Sequence, residues 1–317
     1  MSLGVVILAA GQGKRLRTTL AKVLHEAHGK PLLDWVLAAA RPLQPAKTVV
    51  VVGHLREQVI WHLAGSSADL VVQEPPRGTG DAFRVALPAL EGCRRALVLP
   101  GDAPLLSTTT LRALCQHQEQ TGASCVLLTA MLPNGGAYGR VLRENGKVVA
   151  IVEASDATPE QLAVGEVNAG VYVFDLPTVA PFLEQLGAEN RQGEYYITGL
   201  IGALVAAGKP VVAVTLVDPQ EMLGVNTRAE LAQVSKILNQ RVVRFWQDNG
   251  VTVLDPDSTW VEDGCQFGPD TVLEPGVVVR GASVVGARCR VGAYSVLEGA
   301  QIADDTWIPP LSYLRGS

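Results

Sequence analysis

The chain has no C-x-x-C pair. Its five cysteines (Cys93, Cys115, Cys125, Cys265 and Cys289) are scattered through 317 residues. An odd, dispersed set argues against a disulfide framework or a zinc site and for reduced thiols in the cytoplasm. No apolar run reaches bilayer-spanning length and the N-terminus carries no signal-peptide pattern, so neither membrane attachment nor secretion is expected. With a net charge of −5, the chain lacks the basic excess of a general nucleic-acid binder. Positive charge is concentrated instead between Lys14 and Lys22. The histidines form no ligand set: His25 and His28 have no third partner nearby, and His54, His62 and His117 are isolated. Surface or loop roles are expected for them.

Two further absences concern the first loop. Val5 to Ala10 is a continuous apolar run, as expected of a strand buried on both faces, and it breaks at Gly11-Gln12-Gly13 before the cations Lys14, Arg15 and Arg17. Leu16 stands where a dinucleotide fingerprint needs its third glycine, and the P-loop spacing is missing too. What remains is a Gly-rich basic turn after a strand. It suits a nucleotide phosphate, because glycines admit close backbone approach and cations offset phosphate charge, or it is a tight turn with solvated cations.

What the chain does contain is apolar residue, 48% of the total, over a length that favours two domains. Strand-like segments at Thr48–Val52, Leu70–Gln73, Ala96–Pro100 and Ser124–Ala130 alternate with helix-like ones at Pro31–Ala40, Arg56–Leu63, Gly80–Leu90 and Thr108–Gln120. That alternation predicts an α/β fold, a Rossmann-like doubly wound sheet whose ligands sit beyond the strands' C-terminal ends. Residues 140–174 read as an inserted β-rich lobe with a hairpin at Asn145-Gly146, residues 177–209 as mostly helical, and Thr227–Gln247 as one long helix. Beyond Asn249-Gly250, apolar residues recur every six positions from Val261 through Phe267, Leu273, Val279, Val285 and Val291 to Leu297. Mostly small or polar residues recur four places after each, from Cys265 to Ser295. A hexapeptide period predicts a parallel β-helix, here of about three coils. The expected domains are 1–226, a linker helix at 227–250, and a β-helix at 251–317.

The segment Leu8-Ala9-Ala10-Gly11-x-Gly13-x-Arg15-Leu16 with Lys22-Val-Leu-His25 and Gly29-Lys-Pro resembles the nucleoside-triphosphate signature of sugar-1-phosphate nucleotidylyltransferases. More narrowly, it is similar to the bacterial bifunctional N-acetylglucosamine-1-phosphate uridylyltransferase/glucosamine-1-phosphate acetyltransferase family. Gln73 with Gly78-Thr79-Gly80-Asp81, Gly101-Asp102, Tyr138-Gly139-Arg140, Glu153, Asn168-Ala-Gly170, Glu194-Tyr-Tyr-Ile-Thr198 and Gly224-Val-Asn226 follow in that family's order, and the hexapeptide tail continues the likeness.

The resemblance implies a nucleotide-diphospho-sugar transferase sheet followed by a short left-handed β-helix. It implies Mg²⁺-dependent transfer of a uridylyl group from UTP to N-acetylglucosamine-1-phosphate, giving UDP-N-acetylglucosamine for cell-wall precursors. Arg15, Lys22 and Asp102 would be catalytic. Leu8, Ala9, Ala10, Gly11, Gly13, Lys22, Gln73, Gly78 and Thr79 would bind nucleotide, and Gly139, Glu153, Asn168 and Asn226 sugar. Asp102 and Asn226 would hold the metal. It further implies a cytoplasmic homotrimer formed through the β-helix. Because the β-helix is short and no histidine follows His117, no acetyltransferase activity is expected, which an assay for acetyl-CoA-dependent thiol release checks. A pyrophosphorylase for glucose-1-phosphate or dTTP, and a non-catalytic hexapeptide-repeat subunit, are the alternatives. Ala21 stands where the family usually has proline, which predicts a less rigid loop. Asp81 replaces a histidine, Gly199 an aspartate, and Pro309-Pro310 a Gly-Pro pair.

Overall fold

The computed structural model describes residues 2–316. Two compact units divide the chain: one holds residues 1–25 and 31–227, the other 26–30 and 228–317. The long helix that the sequence separates as a linker thus belongs with the second unit, as does the segment Glu26–Lys30.

The first unit is built on a nine-stranded mixed sheet. Its strands are β1 (Leu3–Ala9), β2 (Lys47–Val52), β3 (Asp69–Val72), β4 (Arg95–Pro100), β5 (Cys125–Met131), β6 (Arg140–Glu144), β7 (Lys147–Val152), β8 (Glu166–Asp175) and β9 (Val211–Thr215). The main path runs β9-β5-β8-β4-β1-β2-β3, with β6 joined to β8 and β7 to β6. β1 pairs in parallel with both β2 and β4, which explains its unbroken apolar run. Its side chains alternate between two cores. Val5 and Ile7 join α1 (Leu32–Ala40), α2 (Arg56–His62) and α4 (Thr108–Thr121), while Val6 meets α3 (Thr79–Ala86), α5 (Leu176–Glu184) and α6 (Ile197–Ala206). Helices on both faces confirm the doubly wound reading. Ser107 caps α4 by accepting from the Thr110 amide at 3.1 Å.

One expectation needs correction. The 140–174 stretch is not all an inserted lobe, because β8 lies inside the central sheet, antiparallel to both β4 and β5. Only β6 and β7 stand off that path, joined by Asn145-Gly146 with φ of 50° and 78°, the paired positive values of a type I′ turn. Residues 177–209 are mostly helical, as expected, with a loop at 185–196 between α5 and α6. His25 and His28 lie in loop positions, as expected, but are buried there, at 5% and 3% exposure. Within the second unit His28 lies edge-on to Trp260 at 5.0 Å, and burial lowers its pKa.

The second unit is a left-handed parallel β-helix with α7 (Arg228–Asp248) packed on it. Eleven short strands between Thr252 and Arg315 stack into three parallel walls of four, four and three strands, slightly more than the three coils expected. Six of the seven residues at the six-residue step are buried. The other, Phe267, is half-buried against Trp246 of α7, ring centroids 5.2 Å apart. The small residues four places on are buried as well, and the hydroxyls among them stitch coil to coil. Thr271 accepts from the Cys289 amide at 3.2 Å, Ser283 from Ala300 at 3.0 Å and Ser295 from Ser312 at 3.2 Å. After Leu297 the repeat drops one residue: Val279 pairs with Leu297 but Val285 with Ile302, so the coil shortens from 18 residues to 17. Asn239 of α7 closes the first edge, donating to the Thr259 carbonyl at 2.8 Å and accepting from the Val261 amide at 2.9 Å.

Replacing Ser283 with alanine is expected to destabilise the β-helix by about 1–3 kcal/mol, because the buried Ala300 amide loses its acceptor. Urea unfolding with an unchanged m-value measures it.

Candidate active site

The strand order places a topological switch between β1 and β4, since the chain leaves β1 toward β2 and β3 before returning on its other side. The loops after these two strands open into a cavity of about 580 Å³. Gly101 closes the gap between them: its amide donates to the Leu8 carbonyl at 3.0 Å, and a Cβ there would stand only 3.0 Å from that oxygen. Every nucleotide, metal and catalytic residue expected from the sequence lines this cavity, as do Glu153 and Asn168. Gly139 lies just behind, its carbonyl accepting from the Asn168 amide at 2.9 Å.

At the centre stands Lys22. Its ammonium pairs with the Asp102 carboxylate and donates to Asn226 Oδ1 at 2.7 Å, all three half-buried. These residues are far apart in sequence, and only the sheet brings them together. Gly13 is left-handed, φ 60°, and a Cβ there would meet the Lys22 Cβ at 2.9 Å, so the glycine lets the basic loop fold over the lysine stem. Arg15 is exposed at the rim.

The loop before Lys22 is tied down rather than loose. Gln58 of α2 accepts from the Ala21 amide at 2.7 Å and donates to the Thr19 carbonyl at 2.9 Å. A proline at position 21 would have no amide to give. Alanine therefore replaces ring rigidity with a hydrogen bond to a second element. Gln58→Ala is expected to raise the nucleotide KM several-fold, with a smaller change in kcat, as initial-rate kinetics would show.

On the other side, β8 bulges between Asn168 and Tyr172. The bulge turns at Gly170, φ 73°, and directs Asn168 toward the cavity. Asn168 donates to the Tyr172 hydroxyl at 2.6 Å and accepts from the Gly170 amide at 3.2 Å. Glu153 accepts from the Thr198 hydroxyl at 2.9 Å. Burial raises the Glu153 pKa, opposed by that hydrogen bond and reinforced by Asp156. A carboxyl raised on folding costs stability above its unfolded pKa, and the cost disappears as pH falls and both states become protonated. Glu153→Gln should therefore not lower the melting temperature at pH 8, yet it should weaken binding of the sugar substrate about tenfold by removing a charged acceptor. Thermal melts and sugar-phosphate KM values check both halves.

The sequence reading assigned no role to Tyr172 or Thr198. Tyr172 is read there only as one residue of an apolar strand, and no sequence signal marked its hydroxyl. Thr198 lies within a quoted motif, and its contact to Glu153 emerges only when α6 approaches β7. Gly199 is not among the cavity-lining residues. Among the described residues there is no group of three or more His, Cys, Asp or Glu side chains placed to hold a metal, and no helix long and apolar enough to cross a membrane.

Comparison with known proteins bears on the family and the fold. Residues 5–138 match the MobA-like NTP transferase domain. The bifunctional protein GlmU of Trichlorobacter lovleyi is 40% identical over 330 residues, covering 98% of this chain and 72% of its own length. That of Lactobacillus johnsonii is 41% identical over 329 residues, covering 98% and 71%. In fold, the chain is similar to a Bacillus anthracis crystal structure assigned as a glucose-1-phosphate thymidylyltransferase. The TM-score is 0.61 at 17% identity, over 74% of this chain and 95% of that one. By its sequence relatives and its nucleotidyltransferase core, the chain belongs to the GlmU family and is a sugar-1-phosphate nucleotidyltransferase.

Proposed function

We propose that the cavity transfers a uridylyl group from UTP to N-acetylglucosamine-1-phosphate, releasing pyrophosphate and UDP-N-acetylglucosamine as a cell-wall precursor. The observation that carries this reading is Lys22 held between Asp102 and Asn226, with Gln73 and the Glu153–Asn168 pair lining the same cavity. The reaction is an in-line displacement in which a sugar-phosphate oxygen attacks the α-phosphorus. It needs placement and charge neutralisation more than covalent help. Lys22 and Arg15 hold the triphosphate, and the Lys22 ammonium offsets charge growing on the α-phosphate. Gly11 and Gly13 let backbone amides approach it. Glu153, Asn168 and the Gly139 backbone bind the sugar hydroxyls and N-acetyl group.

The residues fit Mg²⁺. Asp102 and Asn226 present a carboxylate and a carboxamide oxygen converging on one cation, here the Lys22 ammonium, and Mg²⁺ takes few protein oxygens and keeps waters and phosphates for the rest. When bound there, the ion supplies charge neutralisation on the phosphates. We place the enzyme in the cytoplasm as a homotrimer assembled through the β-helix, which sedimentation of the chain with and without residues 251–317 tests.

The deciding assay is pyrophosphate release from a panel of UTP, CTP and dTTP with N-acetylglucosamine-1-phosphate and glucose-1-phosphate, with and without Mg²⁺. UTP with N-acetylglucosamine-1-phosphate and Mg²⁺ is expected to give the highest kcat/KM. A different best pair, or full activity in EDTA, overturns the corresponding part.

A further inference from the structure

We infer that Asp81 is a specificity-determining positioning residue: it locks the Gln73 carboxamide so that only its carbonyl oxygen faces the nucleotide base. The inference rests on the UTP reading above and deepens it. Gln73 directly follows β3, its own amide bonded to the Val52 carbonyl at 2.8 Å, and its side chain is almost fully buried at the cavity wall. Its Nε2 donates twice, to the Gly78 carbonyl at 2.9 Å and to Asp81 Oδ2 at 2.8 Å. A carbonyl and a carboxylate only accept, so both amide protons are spent and the orientation is forced by chemistry. Turned over, Oε1 would face two oxygens. As it stands, Oε1 has no partner among the described residues and is the atom left for a ligand.

The lock is itself braced. Asp81 is buried at 5% exposure, and its second oxygen pairs with Arg84 one turn along α3. The Arg84 guanidinium lies over the Tyr195 ring, 5.3 Å from its centroid. Gly78 has φ 108°, and a Cβ there would stand 2.7 Å from the Tyr195 carbonyl oxygen. Only glycine holds the accepting carbonyl in this pose. Two acceptors fixed from different directions leave Gln73 one rotamer.

The consequence is a filter for one hydrogen-bonding pattern. Uracil and thymine carry an imide N3–H, which a lone acceptor satisfies. Cytosine presents a lone pair at N3, so Oε1 meets another acceptor there. A site built around a fixed acceptor rejects the base that lacks the donor far more strongly than it rejects a change in size. Thymine shares uracil's edge, so Asp81 discriminates against cytosine and is indifferent between uracil and thymine.

The test measures kcat/KM for UTP, CTP and dTTP with the intact chain and with Asp81→Asn and Asp81→Ala. The unaltered protein is expected to prefer UTP over CTP at least about 100-fold. Either substitution frees Gln73 to turn over, lowering the UTP:CTP ratio about tenfold or more, chiefly through the UTP KM. The UTP:dTTP ratio should stay within about twofold while UTP:CTP falls, a combination that a general loosening of the loop, with equal losses for all three nucleotides, would not produce. Asp81→Asn keeps the side-chain shape and decides the matter if Asp81→Ala does not fold. An unchanged UTP:CTP ratio in the variants, or equal losses with all three nucleotides, overturns the role of Asp81 while leaving the UTP assignment standing. Preference for CTP in the unaltered protein overturns both, and the first row of the panel shows which has failed.

Discussion

Lys22→Ala is expected to lower kcat about 10²- to 10³-fold, the usual loss when one preorganised charge or donor is removed from a developing anion. Asp102→Ala should fall as far. Lys22 binds Asp102 and Asn226 at once, so removing either charge leaves the other half-buried with its main partner gone. The two substitutions therefore should not add: the double variant should be little worse than the worse single one, as for residues that act as a unit. Circular dichroism must first show both variants folded. A double variant whose loss equals the product of the single losses would mean that lysine and aspartate act separately. Full turnover in Asp102→Ala would remove this carboxylate from the chemistry and revive the non-catalytic alternative.

The second large effect concerns stability. Leu297→Ala should destabilise the β-helix by about 2–5 kcal/mol. Leu297 is fully buried in the middle of a wall, paired with Val279 in one neighbouring coil and Leu314 in the next. Each coil contributes one inward residue per wall, so the cavity has no second layer of side chains to collapse into it. An exposed control on the same coil, Arg290→Ala, loses only a surface ion pair with Glu274 and should change stability by less than about 1 kcal/mol. Equal effects from the two would contradict the stacked-core account.

The most regular features were legible without coordinates. The hexapeptide period from Val261 to Leu297 predicted which residues face inward, and the buried apolar and small positions match it. The apolar run at Val5 to Ala10 predicted a strand buried on both faces, and β1 pairs in parallel on both sides. Asn145-Gly146 predicted its turn. The errors came where a pattern serves two structures. An alternating strand looks the same in a lobe as in a sheet's centre, so Val167–Phe174 gave no sign that it pairs with β5 in both halves and with β4 in its second. The short tail of the repeat, with its one-residue deletion after Leu297, broke the count that had identified the coils.

Function divides along the same line. The class of chemistry was legible in sequence through an ordered set of motifs that resembles a known family, since the glycine-rich basic turn by itself fits either a phosphate site or a bare turn. What only the tertiary structure decided is how those groups meet. Lys22 touches Asp102 and Asn226 because parallel strands and a switch of direction bring three distant loops to one edge. Gln58 ties down a loop in which the sequence shows only a missing proline. Asp81 reads in sequence as a departure from a motif; in space it accepts from Gln73 and fixes the orientation of its carboxamide. Residue type sets what a group can donate or accept, but direction belongs to the partners that the fold supplies.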